Sequence, residues 1–247
     1  MIHVKSEKEI EKIRESCRIV RDTLHFVEKK IHAGMTTKEL DVLIERYIRS
    51  EGANPSCLGY GGFPASACIS VNEMVVHGIP DDRILREGDI VSVDIVADKN
   101  GYFGDACRTF CIGEVKPELK QLVKVTEECF FKAVEGLKAG STLGDIGFKV
   151  QQHAESHGYG VIRSYTGHGI GKEMHEDPEV HNYGKAGTGT RLRAGTVLCI
   201  EPMISQGDWR VRLLPDGWGA VTVDNKPAAH YENTLVVRED GVEILTL

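Results

Sequence analysis

Two stretches of this sequence share one pattern: LREGDIVSVDI at residues 85–95 and LRAGTVLCIEP at residues 192–202. Each begins Leu-Arg-x-Gly, continues with alternating apolar residues, and places a carboxylate nine positions after the leucine. That carboxylate is Asp94 in the first stretch and Glu201 in the second. Because alternating apolar residues predict β-strands, each copy carries an acid where a core residue is expected.

A second pair of similar stretches lies upstream of each copy: IHAGMTTKEL at residues 31–40 and LKAGSTLGDI at residues 137–146. The two pairs are offset by 107 and 106 residues, which predicts an internal duplication. Chance similarity between short glycine-containing stretches is the alternative. We therefore expect a single domain over residues 1–247, with a pseudo-repeat over roughly 30–112 and 137–237. A pseudo-twofold relation would bring Asp94 and Glu201 to one central site.

The remaining pattern predicts an α/β protein. Apolar residues at three- and four-residue steps from Ile10 to Ile31 predict a first helix. Thr36 and Glu39 form a capping box that opens a second helix, Pro117 opens a third, and a fourth runs roughly over 143–158. Strands are predicted for the runs ACISV, IVSVDIVA, YFGDACRTFCIG, TVLCIEP, WGAVTV and HYENTLVVR.

Composition excludes several function classes. The net charge is -7 without a basic run, which argues against nucleic acid as the main partner. No apolar run reaches membrane-spanning length, and the charged N-terminus is not a signal peptide. Seven cysteines without C-x-x-C spacing are typical of reduced, mostly buried thiols in a cytoplasmic protein.

The stretch DIVADKNGYFGD, residues 94–105, predicts a hairpin. A turn centred on Lys99-Asn100 would place Asp94 and Asp105 directly opposite each other. A solvated hairpin face is the alternative, but the neighbours of Asp94 are apolar on both faces. Buried carboxylates need a neutralising partner, and a metal ion provides one. The same reasoning applies to Glu201 and Glu232, although an arginine such as Arg108 or Arg212 would neutralise one of the four acids.

His168 lies between glycines in YTGHGIGKEMHEDPEV. Glycines let a backbone approach a ligand closely, which favours a site over a structural histidine. One histidine and four carboxylates form an oxygen-rich set that suits divalent Mn, Fe or Co, and four negative charges match two such ions. In a close metal pair a bridging water loses a proton near neutral pH and attacks a polarised carbonyl.

These five residues lie in the contexts VDIVADKNGYFGDACRTF, YTGHGIGKEMHE, CIEPMI and YENT. With CLGYGGFPASACISVNEMVVHGIP upstream, they resemble the methionine aminopeptidases of the short bacterial type I form, from about residue 3 to the C-terminus. The resemblance implies the pita-bread fold of the metalloaminopeptidase and creatinase-like superfamily. That fold has two pseudo-symmetric α/β halves with an antiparallel central sheet flanked by helices.

The resemblance also implies an activity. It implies a monomeric cytoplasmic enzyme that removes N-terminal methionine from nascent chains near the ribosome exit. Cleavage would follow deformylation and require a small, uncharged second residue. The resemblance implies neither a membrane nor a nucleic acid as partner.

The family's residue roles follow by resemblance alone. Asp94 would bind one metal, His168 and Glu201 the other, and Asp105 and Glu232 would bridge both. The metals would be Co, Mn, Fe or Zn. Glu201 would also shuttle a proton, while His77 and His175 would contact the substrate and stabilise the tetrahedral intermediate. The methionine pocket would be lined by Cys57, Tyr60, Phe63, Cys68, Met174 and Trp218, for which core packing is the alternative.

Two residues depart from the family pattern. Gly61 stands where many relatives carry histidine, and Met174 where many carry phenylalanine, which leaves the shape of the pocket rim open. Two alternative functions also remain. X-Pro aminopeptidases share the fold and ligand set but usually carry a separate N-terminal domain. Other relatives of the fold are non-catalytic binding modules.

Overall fold

The computed structural model describes residues 2–247 and contains four α-helices, a short 3-10 helix at Tyr60–Gly62 and fifteen strands over that range. The α-helices are α1 Glu7–Lys30, α2 Thr37–Ser50, α3 Pro117–Val134 and α4 Leu143–Ser156. The first eight strands are β1 Asn54–Pro55, β2 Cys68–Val71, β3 Met74–Val76, β4 Ile90–Lys99, β5 Tyr102–Cys111, β6 Gly160–Val161, β7 Gly167–Gly169 and β8 Glu176–Val180. The others are β9 Val197–Ile200, β10 Met203–Ser205, β11 Val211–Leu213, β12 Ala220–Thr222, β13 Ala228–His230, β14 Asn233–Val237 and β15 Val242–Ile244. None of the helices in residues 2–247 is long and apolar enough to span a membrane.

The helices begin where their capping residues predict. The N–H of Glu39 donates to Thr36 Oγ1 at 3.1 Å, and the N–H of Thr36 donates to Glu39 Oε2 at 2.8 Å. This reciprocal pair satisfies two backbone donors that the first turn of α2 leaves free. Pro117 is the first residue of α3, where its missing N–H costs nothing. The predicted capping box and the predicted proline start are both confirmed.

The two similar stretches of each half contact each other in the same way. The N–H of Gly34 donates to the carbonyl of Leu85 at 2.8 Å, and the N–H of Gly140 donates to that of Leu192 at 2.9 Å. In both halves, a backbone hydrogen bond therefore connects the loop before the second helix of that half to the loop before a strand. The equivalent residues lie at the 106- and 107-residue offsets of the sequence pattern.

Two antiparallel sheets form the middle of the molecule, and a helix pair covers each. In the first, β4 lies between β1 and β2 and also pairs with β5; the second has the order β15-β14-β9-β7-β8. Apolar residues of α1 and α2 share a core with the first sheet, and those of α3 and α4 share another with the second. Each helix pair thus holds its sheet rigidly through one buried apolar face.

The two sheets are joined where β5 meets the segment before β14. The N–H of Glu232 donates to the carbonyl of Cys107 at 3.0 Å, and the N–H of Cys107 donates back at 3.4 Å. Thr234 Oγ1 also donates to the carbonyl of Asp105 at 2.8 Å. The run HYENTLVVR is therefore not one strand, as expected, but two: the chain leaves its pairing with β10 after His230 and bonds to β5 before β14 begins.

The β4–β5 hairpin differs from expectation in register. Its turn is Asn100-Gly101, with Lys99 paired to Tyr102, so Asp94 lies opposite Cys107 and Asp105 opposite Val96. The predicted Lys99-Asn100 turn was wrong because a two-residue hairpin loop of this type needs left-handed backbone at both positions. Asn100 and Gly101 have φ of 58° and 75°. Asp94 and Asp105 are consequently diagonal neighbours on one face rather than a directly opposed pair.

Candidate metal centre and active site

A cavity of about 310 Å³ opens at the junction of the two sheets. Every residue that the sequence analysis assigned to the site lines it. These are Cys57, Tyr60, Phe63, Cys68, His77, Asp94, Asp105, His168, Met174, His175, Glu201, Trp218 and Glu232. Residues that are up to 175 positions apart in the sequence thus converge on one concave surface.

The four carboxylates reach the cavity from strands of both sheets. Asp94 and Asp105 lie on β4 and β5, Glu201 follows β9 directly, and Glu232 lies at the junction. Pro202 follows Glu201 and ends β9 there, so the side chain lies at a strand end. The buried amide of Asn182 donates to the carbonyl of Glu201 at 2.8 Å, which fixes that strand end.

His168 is held on β7 between strands β8 and β9. A Cβ at Gly167 would lie 2.3 Å from the carbonyl oxygen of Cys199, and one at Gly169 would lie 2.2 Å from that of Asp177. The glycines flanking His168 therefore permit close strand packing rather than the expected close approach to a ligand. The imidazole Nδ1 donates to the carbonyl of Gly169 at 2.9 Å, so Nε2 carries the lone pair.

The Nε2 atom of His168 faces the carboxylates. It lies 3.6 Å from Asp105 Oδ2 and 3.7 Å from Glu201 Oε1. Burial lowers the pKa of His168 below its ordinary value, which keeps the imidazole neutral and able to bind a cation.

Burial raises the pKa values of all four acids, and repulsion between the acids reinforces this for three of them. Burial, reinforced by the charge of Asp105, raises the pKa of Asp94, Glu201 and Glu232 well above the ordinary values. Burial also raises the pKa of Asp105 to about 7. Positive charge near these groups would remove that penalty.

No lysine or arginine nitrogen within residues 2–247 forms an ion pair with these four acids. Arg108 instead donates to the carbonyl of Glu232 at 2.6 Å and to Asn233 Oδ1 at 2.7 Å. Arg212 donates to Asn225. Neutralisation of one acid by an arginine, which the sequence left open, does not occur in this structure.

Several buried atoms of the cluster lack hydrogen-bond partners. Within the described residues, Asp94 Oδ1, Asp105 Oδ1, Glu232 Oε1 and His230 Nε2 have no partner. Burying such atoms unpaired is costly. Donor atoms of Asp105, His168, Cys199 and Glu232 lie within 4.8 Å of one another, as do those of Asp94, His230 and Glu232. Converging orphaned oxygens and imidazole nitrogens fit divalent metal ions.

Two further histidines, His77 and His175, line the cavity. His175 Nδ1 lies 2.7 Å from the hydroxyl of Tyr60, and its ring packs edge-on against His168 with centroids 4.4 Å apart. Burial lowers the pKa of His175 to about 4 and also lowers that of His77. His77 has a φ of 58°, a conformation rare for residues other than glycine and often found at functional sites.

Part of the cavity wall is apolar. Cys57, Phe63, Cys68 and Met174 are buried together, and Trp218 packs edge-on against Phe63 with centroids 5.1 Å apart. Tyr60 is 46% exposed at the mouth. Sulfur and aromatic edges suit a flexible apolar side chain of moderate size.

Gly61 lies close to Trp218, which lines the cavity. A Cβ at this position would lie 3.2 Å from Trp218 Cη2, and the φ of Gly61 is 55°. A side chain here would thus push on Trp218, so the absence of one gives the indole its present position.

Six cavity residues were not predicted: Val76, Val96, Ser164, Tyr165, Thr166 and His230. His230 precedes Glu232 by two positions, and Tyr165 packs edge-on against His77 with centroids 5.3 Å apart. In the sequence, these residues lie close to predicted site residues, and this was the only indication that they belong to the cavity. It was not decisive, because residues at the same positions could equally pack in the core.

The fold and this centre define a metal-dependent peptidase. A family model described as metallopeptidase family M24 matches residues 11–239. The methionine aminopeptidase of Clostridium acetobutylicum is 54% identical over 100% of this chain and 99% of its own. The chain belongs to the methionine aminopeptidases of metallopeptidase family M24.

Solved structures show the same fold. The crystal structure of methionine aminopeptidase from Rickettsia prowazekii matches with a TM-score of 0.99 at 41% identity, covering 100% of both chains. An X-Pro aminopeptidase from Thermotoga maritima matches with a TM-score of 0.78 at 27% identity, covering 99% of this chain but 62% of its own. This is the pita-bread fold, and the chain is a metalloaminopeptidase that removes N-terminal methionine.

Proposed function

We propose that Asp94, Asp105, His168, Glu201 and Glu232 hold two divalent metal ions. Asp94 would bind one ion, His168 and Glu201 the other, and Asp105 and Glu232 both. The orphaned buried oxygens of Asp94, Asp105 and Glu232 carry this proposal. The oxygen-rich donor set favours Co, Mn or Fe, with Zn also compatible. Bound in such a site, divalent ions lower the pKa of water and polarise a carbonyl oxygen.

Glu201 is the proposed proton carrier. Its carboxylate lies in the cavity beside His168 Nε2, where it could accept a proton from water and return it to the leaving amine. His175 is the proposed donor to the scissile carbonyl oxygen, oriented by its contact with the Tyr60 hydroxyl. His77 lines the same cavity and is the second histidine proposed to contact the substrate.

The methionine side chain enters the apolar part of the cavity formed by Cys57, Tyr60, Phe63, Cys68, Met174 and Trp218. Its free α-amine then lies at the carboxylate cluster, where a positive or metal-binding nitrogen is favoured. A formyl group would tie up the nitrogen lone pair and add bulk, so deformylation comes first. The second residue lies beside His77 and Tyr165, which leaves room for small, uncharged side chains.

The cellular role follows from this substrate. A chain with a newly exposed N-terminal methionine is a nascent protein, so we place the enzyme in the cytoplasm near the ribosome exit. We also propose a monomer as the active form. The methionine aminopeptidase of Clostridium acetobutylicum is 54% identical to this chain and the X-Pro aminopeptidase 27%, which favours the methionine specificity.

The test is a panel of Met-X and formyl-Met-X peptides, with release of free methionine measured on metal-loaded protein. We expect Met-Gly and Met-Ala peptides to be cleaved and Met-Lys and formyl-Met-Ala peptides to be refused. Efficient release from formyl-Met-Ala would contradict the proposed position of the amine.

A further inference from the structure

His230 is a buried histidine that the proposed mechanism does not use. It is the last residue of β13, two positions before Glu232, and is only 2% exposed. Its N–H donates to Thr109 Oγ1 at 3.0 Å, and its carbonyl accepts from the same hydroxyl at 2.8 Å. The backbone that carries the imidazole is therefore fixed to β5 on both sides.

The imidazole faces the carboxylate cluster. His230 Nε2 lies 3.7 Å from Glu201 Oε2 and 3.7 Å from Glu232 Oε2. These distances are too long for hydrogen bonds, and Nε2 has no other partner among residues 2–247. A fully buried nitrogen without a partner requires an explanation.

The distances match those of His168 on the other side of the cluster. His168 Nε2 lies 3.6 Å and 3.7 Å from its two nearest carboxylate oxygens. Two donors on one metal ion, each about 2.1 Å from it, are separated by roughly 3 to 3.6 Å, depending on the angle between them. In both histidines, the distance from Nε2 to the carboxylate oxygens is therefore close to that between two ligands of one metal ion. It is longer than a hydrogen bond.

We propose that His230 is a further metal ligand, binding through Nε2 the same ion as Asp94 and Glu232. This inference rests on the proposed metal pair. Donor atoms of the three residues lie within 4.8 Å of one another, and Asp94 Oδ1 and Glu232 Oε1 are likewise unpaired within the described chain. Each of the two ions would then receive one imidazole, because His168 serves the other.

A second imidazole changes the chemistry of the centre. A position with oxygen ligands alone suits Mn, whereas an added nitrogen ligand raises the relative affinity for Co and Zn. His230 thus sets metal preference at the Asp94 position. A hydrogen bond from Nε2–H to a carboxylate is the competing role, and it would position the acid without contacting the metal.

The experiment compares cobalt-loaded variants by X-ray absorption and calorimetry. All proteins carry His153→Gln, because Glu128, His153 and His157 also form a group able to hold an ion. The variants are His230→Gln, which keeps a hydrogen-bond donor of similar reach, and His230→Ala. His168→Gln is the reference for loss of an imidazole ligand, and His181→Gln controls for an exposed histidine.

We expect about one imidazole per cobalt in the parent and about half in His230→Gln, matching His168→Gln. The affinity for one of the two ions should fall at least tenfold in both His230 variants. An unchanged imidazole count in His230→Gln, or weaker binding in His230→Ala alone, would overturn the proposal in favour of hydrogen bonding. If His230→Ala fails to fold, the imidazole count and the metal affinity of His230→Gln alone distinguish the two roles.

Failure of the proposed function gives a different result. A parent protein that binds two cobalt ions but releases no methionine from Met-Ala peptides contradicts the substrate assignment and leaves the imidazole count unaffected. A parent that cleaves Met-Ala, combined with an unchanged count in His230→Gln, contradicts only the role of His230.

Discussion

Glu201 lies between two histidines, with Oε1 3.7 Å from His168 Nε2 and Oε2 3.7 Å from His230 Nε2. Replacement by glutamine keeps the side-chain volume but removes a ligand charge and a proton carrier. We expect Glu201→Gln to lower kcat by about 10² or more. The measurement is kcat on a Met-Ala peptide with metal content determined in parallel. Unchanged kcat at full metal content would remove Glu201 from the proposed mechanism.

His175 and Tyr60 form the second residue-scale pair. A group that donates to the developing oxyanion acts in the transition state, so we expect His175→Ala to lower kcat by about 10² with little change in KM. Tyr60→Phe keeps the ring but removes the hydroxyl that contacts Nδ1, and should have a smaller effect on kcat. A change confined to KM in His175→Ala would limit His175 to ground-state binding.

Sequence reasoning identified acids on otherwise apolar strands because an unpaired buried charge is costly whatever the fold. Asp94, Asp105, Glu201 and Glu232 were recognisable for that reason. His230 was not, because a neutral histidine beside aromatic and apolar residues is an ordinary core residue. Only the three-dimensional distances show that its Nε2 has no partner among residues 2–247.

At the scale of elements, β5 packs directly on the backbone of α1. A Cβ at Gly104 would lie 2.5 Å from the backbone nitrogen of Cys17, so any side chain there separates the strand from the helix. We expect Gly104→Ala to lower the free energy of unfolding by about 2 to 3 kcal/mol. Urea unfolding measures this, with Gly241→Ala as control, since a Cβ there meets nothing within 4 Å in residues 2–247. Equal stability of the two variants would contradict this packing.

Asp41 links α2 to the segment before β2. Its Oδ1 accepts the N–H groups of Ser66 and Ala67, each at 2.9 Å, and burial raises its pKa to about 6. The folded state then holds this proton to higher pH than the unfolded state. The contribution of Asp41 to the free energy of unfolding therefore falls as pH rises from about 4 to about 6.

Asp41→Asn keeps the acceptor oxygen and removes the titration. We expect the variant to gain stability relative to the parent as pH rises through that window, and the difference to level off above it. Urea unfolding of both proteins at a series of pH values provides the measurement. Because other titrating groups are common to both proteins, parallel curves would contradict a raised pKa for Asp41.

Helices and strands were predictable from periodicity and caps. The hairpin turn was also predictable, because Asn-Gly is the dipeptide that best adopts left-handed backbone at both loop positions, as Asn100 and Gly101 do. One detail needed the third dimension. The break between β13 and β14 depends on Cys107, a partner far away in sequence, which draws the backbone of Glu232 across to the other sheet. The sequence pattern around Glu232 carries no information on a hydrogen-bond partner so distant in the chain.

At the scale of the whole molecule, the proposed metal centre lies where the two sheets meet. Removing the ions leaves carboxylates at the junction to repel one another, so we expect chelation to lower the Tm and re-addition of metal to restore it. Each tenfold rise in free metal above Kd should add about 1.4 kcal/mol of stability per site. Differential scanning calorimetry at several metal concentrations measures this, with Glu232→Gln showing a smaller response. A Tm insensitive to chelator would contradict a structural role for the metals.

The matched contacts of Gly34 with Leu85 and of Gly140 with Leu192 have a historical consequence. We propose that residues of roughly 30–112 and 137–237 descend from one ancestral segment, now forming a single catalytic domain. Before fusion, such a segment would have met its own copy across a dimer axis, with one acid from each subunit at the axis. Covalent linkage would have freed the copies to diverge, one towards aspartate and the other towards glutamate. It would thereby have allowed an asymmetric centre, suited to an asymmetric substrate.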